Sequence, residues 1–100
     1  MTFGIIGSGA FGTALSISLS STNKKLILWT RNQDVVNSVQ EIRENRLRLP
    51  GYILPQNIIV TNDINQMGNC SIILIAVPMQ QLRSVVELHR SSLEGKILVA

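Results

Sequence analysis

The chain has 100 residues, 45% of them hydrophobic and only 4% aromatic, which bounds it to one small domain with an aliphatic core that buries roughly two-thirds of the unfolded surface. The formal net charge of +3 suits an anionic small molecule; the cations are not interleaved with aromatic residues, so nucleic acid is not expected as a partner. The single cysteine, Cys70, excludes an intrachain disulfide and a multi-cysteine metal site, and a reducing cytoplasm is the expected compartment.

In chain order, a short apolar strand over about residues 2–6 leads into Gly7-Ser8-Gly9-Ala10-Phe11-Gly12, which opens a helix over about residues 10–20. Residues 1–23 carry no charged side chain, yet they lack a basic start, and glycine and hydroxyl residues interrupt them. No apolar run in the chain approaches the length of about 18 residues that a span needs, so no integral membrane segment is expected. Strand, G-x-G-x-x-G, helix is the context that points to dinucleotide binding. The three glycines serve different ends. Gly7 turns the chain sharply, Gly9 clears a side chain from the path of a pyrophosphate, and Gly12 allows close helix–strand packing. The helix start then offers free N–H groups and the positive dipole end to the phosphates.

The second strand, about residues 25–30, ends in Thr30-Arg31-Asn32, where an NAD-selective fold carries an acid for the ribose hydroxyls. No acid stands there. A small neutral Thr30 leaves room for a 2′-phosphate and Arg31 can pair with it, so NADP is favoured as cofactor with NAD tolerated; a solvated loop cation is the plain alternative for Arg31. Asp34 reads as the cap of the second helix, about residues 34–44, whose Val35, Val39 and Ile42 share one face. Arg43, Arg46 and Arg48 read as a solvated helix end.

A loop with Pro50, Gly51 and Pro55 precedes a third strand at about 57–61. A short helical turn starts near Asn62 or Asp63, with Asp63 as its cap. Residues 71–77 form the most apolar strand, buried on both faces, and Val77-Pro78-Met79 turns into a helix at about 79–89 with Leu82, Val85 and Val86 inward. A fifth strand spans about 96–100. This alternation predicts an α/β, Rossmann-type doubly wound parallel sheet of order 3-2-1-4-5, with Gly7–Gly12 and Val77-Pro78 on opposite sides of one crevice at the switch point.

Other residues carry plain readings beside sharper ones. His89 reads as a surface residue at a helix end, Cys70 as a small buried residue, and Met67 and Met79 as packing. Trp29 either packs in the core or stacks on an adenine. Gln80 and Gln81 either face the cofactor or are solvated. Tyr52 either covers the cleft or plugs its loop. Leu49-Pro50-Gly51 reads as a turn in which proline fixes φ and glycine permits the reversal.

Taken together, Gly7–Gly12 with Thr13-Ala14-Leu15, Leu28-Trp29-Thr30-Arg31-Asn32, Glu44-Asn45-Arg46-Leu47-Arg48-Leu49-Pro50-Gly51, Leu54-Pro55 and Ala76-Val77-Pro78 resemble bacterial NAD(P)-dependent glycerol-3-phosphate dehydrogenase. The most specific part is Asn45-x-x-x-Leu49-Pro50-Gly51 at this distance from the glycines. The resemblance covers the cofactor-binding half of such an enzyme, without its helical C-terminal domain. It implies cofactor contacts at Ala10 and Phe11, a cofactor-phosphate contact at Arg31, and a cleft bordered by Val77 and Pro78. Ala10 departs from the serine common in relatives, which removes one hydroxyl contact. The implied reaction reduces dihydroxyacetone phosphate, a small phosphorylated substrate, to sn-glycerol 3-phosphate for phospholipid synthesis, with a lysine polarising the carbonyl. That lysine follows the fifth strand in a Lys-Gly pair; Lys24, Lys25 and Lys96 do not match it, so no catalytic residue is assigned and the 100 residues are expected to bind cofactor without turnover. The chain is expected to be the N-terminal part of a longer enzyme. A non-catalytic dinucleotide-binding or assembly module is the rival reading, and an exposed fifth strand could drive homodimer formation.

Overall fold

A computed structural model describes residues 2–21, 25–77, 79–93, 95 and 97–99. Five short strands, β1 (Phe3–Ile6), β2 (Leu26–Trp29), β3 (Ile58–Thr61), β4 (Ile72–Ile75) and β5 (Ile97–Val99), alternate with helices. The helices are α1 (Ala10–Ser20), α2 (Gln33–Ile42), α3 (Met79–Leu88) and the single turn α4 (Arg90–Leu93), with a 3₁₀ segment at Ile64–Asn69. The strands pair in parallel in the order β3-β2-β1-β4-β5. The register sets Ile6 between Trp29 and Ile75, so three strand ends finish level.

Residues alternate between the two faces of the sheet, as a period of two requires. Ile5, Leu26, Leu28, Ile58 and Val60 join Val35, Val36 and Val39 of α2 in one core. Ile6, Ile27, Trp29, Ile73 and Ile75 join Met67, Val85 and Leu93 in the other. Each core is covered by helices, which is the doubly wound arrangement, and the winding reverses between β1 and β4.

The helix α1 reaches the sheet through small residues. Gly12, Thr13, Ser16 and Ser20 are its buried positions, while Leu15, Ile17 and Leu19 only flank the core. The two buried serine hydroxyls are satisfied within the helix, Ser16 Oγ donating to the Thr13 carbonyl at 2.7 Å and Ser20 Oγ to the Ile17 carbonyl at 2.7 Å. A stripe of small side chains lets the helix axis approach the strands.

Several expectations change. Asn32, not Asp34, caps α2, its side chain accepting from the Asp34 N–H at 2.9 Å. The inward face of α2 is Val35, Val36 and Val39, and Ile42 is exposed, because the helix ends there and the chain turns away. The turn is made by Arg43 in the left-handed region at φ 56°. Its guanidinium is engaged with the chain: it donates to the carbonyls of Leu54 (3.3 Å), Pro55 (2.5 Å) and Ile58 (2.8 Å). Those charge-assisted bonds hold the unusual backbone and clamp the long loop onto the start of β3. Strand β4 is four residues long and buried on alternate residues, not seven buried on both faces. Asp63 caps the 3₁₀ segment as expected, accepting from the Asn65 N–H at 3.0 Å. Met67 packs in the second core, and Gly51 takes φ +90° as the predicted reversal. The expected ends of the fifth strand at Lys96 and Ala100 lie outside the described residues. Among the described residues no helix is long and apolar enough to cross a membrane, and no His, Cys, Asp and Glu group could hold a metal.

Candidate functional site

Beyond the C-terminal ends of β1, β2 and β4 lies a cleft of about 410 Å³ lined by Gly7, Ser8, Gly9, Trp29–Asn32, Arg48, Ala76, Val77, Gln81 and Val85. It is at the switch point, where parallel sheets leave a crevice because successive crossovers go to opposite faces.

The three glycines do different things. Gly7 takes φ +114°, and a Cβ there would overlap the Ala76 carbonyl oxygen. Its N–H donates to the Trp29 carbonyl at 2.9 Å, tying the turn to β2. At Gly12 a Cβ would overlap the Gly7 carbonyl oxygen, so helix and turn touch backbone to backbone. Gly9 is the opposite case. Its φ of −64° suits any residue, and nothing lies within 4 Å of where its Cβ would stand. It is the N-cap of α1, with no side-chain cap and no acid in the first turn. The first N–H groups of a helix have no partner within the helix, so this end presents donors and positive potential toward open space, the arrangement that accepts an anion.

Around the turn runs a network of hydrogen bonds. Ser8 Oγ donates to Thr30 Oγ1 at 2.6 Å, and the Asn32 N–H donates to the same oxygen at 3.0 Å. Thr30 is therefore buried and engaged; it ties the glycine turn to the end of β2 more than it merely leaves room. Behind the turn, the fully buried Asn45 donates from Nδ2 to the Ser8 carbonyl and to Thr13 Oγ1, both at 2.9 Å. The sequence marked Asn45 as part of a pattern; what it holds was not visible, because the partner lies 37 residues away.

Two cations stand on the rim. Arg31 is exposed at the end of β2, and among the described residues its guanidinium makes no ion pair or hydrogen bond. Arg48 lines the same cleft, so reading it as part of a solvated helix end is corrected: α2 stops at Ile42 and the following turn carries Arg48 back to the opening. Its presence near Arg31 could not be read from a separation of 17 positions without the path of that turn. Gln81 of α3 joins the lining and Gln80 does not. Val77 lines the cleft together with Gly7, Ser8 and Gly9, its Cγ1 3.0 Å from where a Gly7 Cβ would stand, and Pro78 lies outside the described residues. Ala10 and Phe11 line a second, more apolar hollow with Gly9, Gly12, Ile75, Ala76 and Val77, and Phe11 is 71% exposed. The glycine turn therefore stands between two hollows. Tyr52 is exposed and lines neither of them.

Trp29 is both core and cleft floor, 7% exposed and edge-to-face with His89 at 4.8 Å between centroids. His89 is thus not a plain surface residue: it is half-buried, its Nε2 has no partner among the described residues, and burial lowers its pKa from the ordinary histidine value. Cys70 is buried as expected.

The open side of Gly9 at a helix start and the two cations of the lining suit an anionic ligand. The model of the family described as NAD-dependent glycerol-3-phosphate dehydrogenase N-terminus matches residues 2–100. The glycerol-3-phosphate dehydrogenase [NAD(P)+] of Ruegeria sp. (strain TM1040) is 45% identical over 100 residues, all of this chain and 31% of that relative. The crystal structure of glycerol-3-phosphate dehydrogenase from Coxiella burnetii superposes with a TM-score of 0.88 at 27% identity, covering 97% of this chain and 30% of that one. The Saccharomyces cerevisiae glycerol-3-phosphate dehydrogenase shares the fold, with a TM-score of 0.79 at 22% identity over 97% of this chain and 30% of that one. The chain thus spans about 30% of the length of these relatives. Over that span it belongs to the NAD(P)-dependent glycerol-3-phosphate dehydrogenase family, as its N-terminal, NAD-binding region.

Proposed function

We propose that the cleft binds NADP(H) in preference to NAD(H), as the cofactor-holding part of an enzyme that interconverts dihydroxyacetone phosphate and sn-glycerol 3-phosphate. The observation that carries the binding site is the contrast among the glycines: at Gly7 and Gly12 a Cβ would meet backbone, whereas at the cleft-lining Gly9 nothing stands within 4 Å of it. In this reading the backbone of Gly7–Gly12 holds the pyrophosphate. Arg31 pairs with the adenosine 2′-phosphate, with Arg48 beside it and Thr30 fixing the turn between them. Val77 and Pro78 border the far wall. Ala10 and Phe11 extend the site into the second hollow, where a flat apolar ring would be sheltered from water.

The bound cofactor supplies the hydride for carbonyl reduction. The cleft residues bind and orient it. Arg31 and Arg48 are the charged side chains among the lining residues, and both suit binding of an anionic ligand. In this reading the cleft residues hold the cofactor, and none of them is assigned the proton transfer of the reaction.

Replacing Arg31 with alanine tests the assignment. NADPH affinity should fall about tenfold, the scale of a lost charged hydrogen bond, while NADH affinity stays within about twofold. Equal weakening of both would remove the 2′-phosphate role. Sustained NADPH oxidation with dihydroxyacetone phosphate by this chain alone would contradict the division between binding and turnover.

A further inference from the structure

Asn45 is a buried polar side chain whose partners bridge two cleft-forming segments, the glycine turn with the start of α1 and the Arg48 turn. Its side chain is 0% exposed. Nδ2 donates to the Ser8 carbonyl and to Thr13 Oγ1, each at 2.9 Å. Thr13 Oγ1 donates in turn to the same Ser8 carbonyl at 3.1 Å. On its other side, Oδ1 accepts from the Arg48 backbone N–H at 3.3 Å, and the Asn45 carbonyl accepts from the Leu49 N–H at 2.8 Å. One amide thus grips the glycine turn with its nitrogen and the Arg48 turn with its oxygen.

Both grips have directional consequences. In a trans peptide the carbonyl and the next N–H point in opposite directions. Pulling the Ser8 carbonyl toward Asn45 therefore fixes the Gly9 N–H pointing away from Asn45. The bond to the Arg48 N–H fixes the backbone from which the Arg48 guanidinium reaches the cleft rim. A buried amide costs free energy unless both ends are paired, and an aliphatic residue of that size would fill the space without either bond.

We propose that Asn45 is a positioning residue for cofactor discrimination: it holds the phosphate-facing turn and the Arg48 rim at one fixed separation, so that a dinucleotide bearing a 2′-phosphate engages both at once. This rests on the cofactor reading above. Ligands that use both contacts depend on that separation, whereas a ligand that uses the turn alone depends only on the Ser8 grip.

The test titrates the chain with NADPH and with NADH, following Trp29 fluorescence, for the parent, Asn45→Ala, Arg48→Ala and the double variant, with circular dichroism to establish folding. Asn45→Ala and Arg48→Ala should each shrink the NADPH-over-NADH preference by about tenfold. In the double variant the preference should fall no further, because both changes remove one coupled contact. Thr13→Val, which removes only the hydroxyl shared with the Ser8 grip, should weaken both cofactors by the same factor. A folded Asn45→Ala chain whose preference is unchanged, or losses that multiply in the double variant, would overturn the proposal and leave the cofactor site standing. If Asn45→Ala does not fold, Thr13→Val decides: equal weakening supports the grip, and parent-like affinity for both overturns it. A folded parent that binds neither cofactor overturns the underlying reading instead.

Discussion

The two sides of the cleft are built on different principles. The glycine turn is held by backbone against backbone: Gly12 against the Gly7 carbonyl, Gly7 against the Ala76 carbonyl, and the Ser8 carbonyl on Asn45. The cationic rim differs: the Arg31 and Arg48 side chains are exposed on turns, and it is the backbone carrying Arg48, not its guanidinium, that Asn45 holds. The part that would meet the pyrophosphate, common to both dinucleotides, cannot vary without disturbing the fold. The charged side chains that would distinguish them can vary at almost no structural cost, although the Asn45 amide behind one of them cannot. General binding is written into the packing, and preference is written onto its edge.

That contrast can be broken by substitution. The largest effect is expected at Gly12. A Cβ there enters the Gly7 carbonyl, and relieving it means prying α1 from the sheet, at about 3 kcal/mol. For a domain of this size that lowers the melting temperature by about 15 °C, which a thermal melt of Gly12→Ala reads directly. Gly9→Ala separates folding from binding. Its backbone suits alanine and its Cβ meets nothing within 4 Å, so the poorer N-cap is offset by a less flexible unfolded chain and the melting temperature should move by only a few degrees, about 0.5 kcal/mol or less. Affinity for both dinucleotides should nevertheless fall about tenfold, as the methyl stands where the phosphates approach. A Gly9→Ala chain that binds like the parent would mean that the open side of the turn is not the ligand's side.

Arg31→Ala and Arg48→Ala should leave stability within about 0.5 kcal/mol, since both side chains are exposed, and should alter NADPH binding alone. A drop in melting temperature as large as that of Gly12→Ala would erase the distinction between frame and rim.

The smallest effect is expected at the floor. Burial lowers the His89 pKa in the fold, so the unfolded chain binds the proton more readily. The contribution of neutral His89 is fully present above the unfolded pKa, about 6.5. It is lost as pH falls below that value toward the lowered folded pKa. Melting temperature should therefore decline between neutral and mildly acidic pH, and His89→Phe, which keeps a ring against Trp29, should flatten that part of the profile. A steeper decline in the variant would reverse the sign of this linkage.

Much of this was legible in the sequence, for reasons that differ by residue. Gly7, Gly9 and Gly12 are readable because a local turn and a local helix start dictate them, and the sheet order follows from strands alternating with helices. The end of α2 was misread because nothing local announces that Arg43 adopts a left-handed conformation; carbonyls at positions 54, 55 and 58 stabilise it. Burial of Gly12, Thr13, Ser16 and Ser20 is hidden for a related reason: hydropathy points to the leucines and isoleucine of α1, whereas close approach selects the small residues. Asn45 and Arg48 carry the same lesson into the site. A pattern of residues marked their turn, but what it reaches is set by long-range contacts that spacing does not encode.

The most direct test of the central claim is a titration of the 100-residue chain with NADPH and NADH, read through Trp29, the single tryptophan, on the cleft floor. The account predicts saturable quenching by both, with NADPH the tighter ligand. A chain that melts cooperatively, yet shows no saturable change with either dinucleotide, would contradict it.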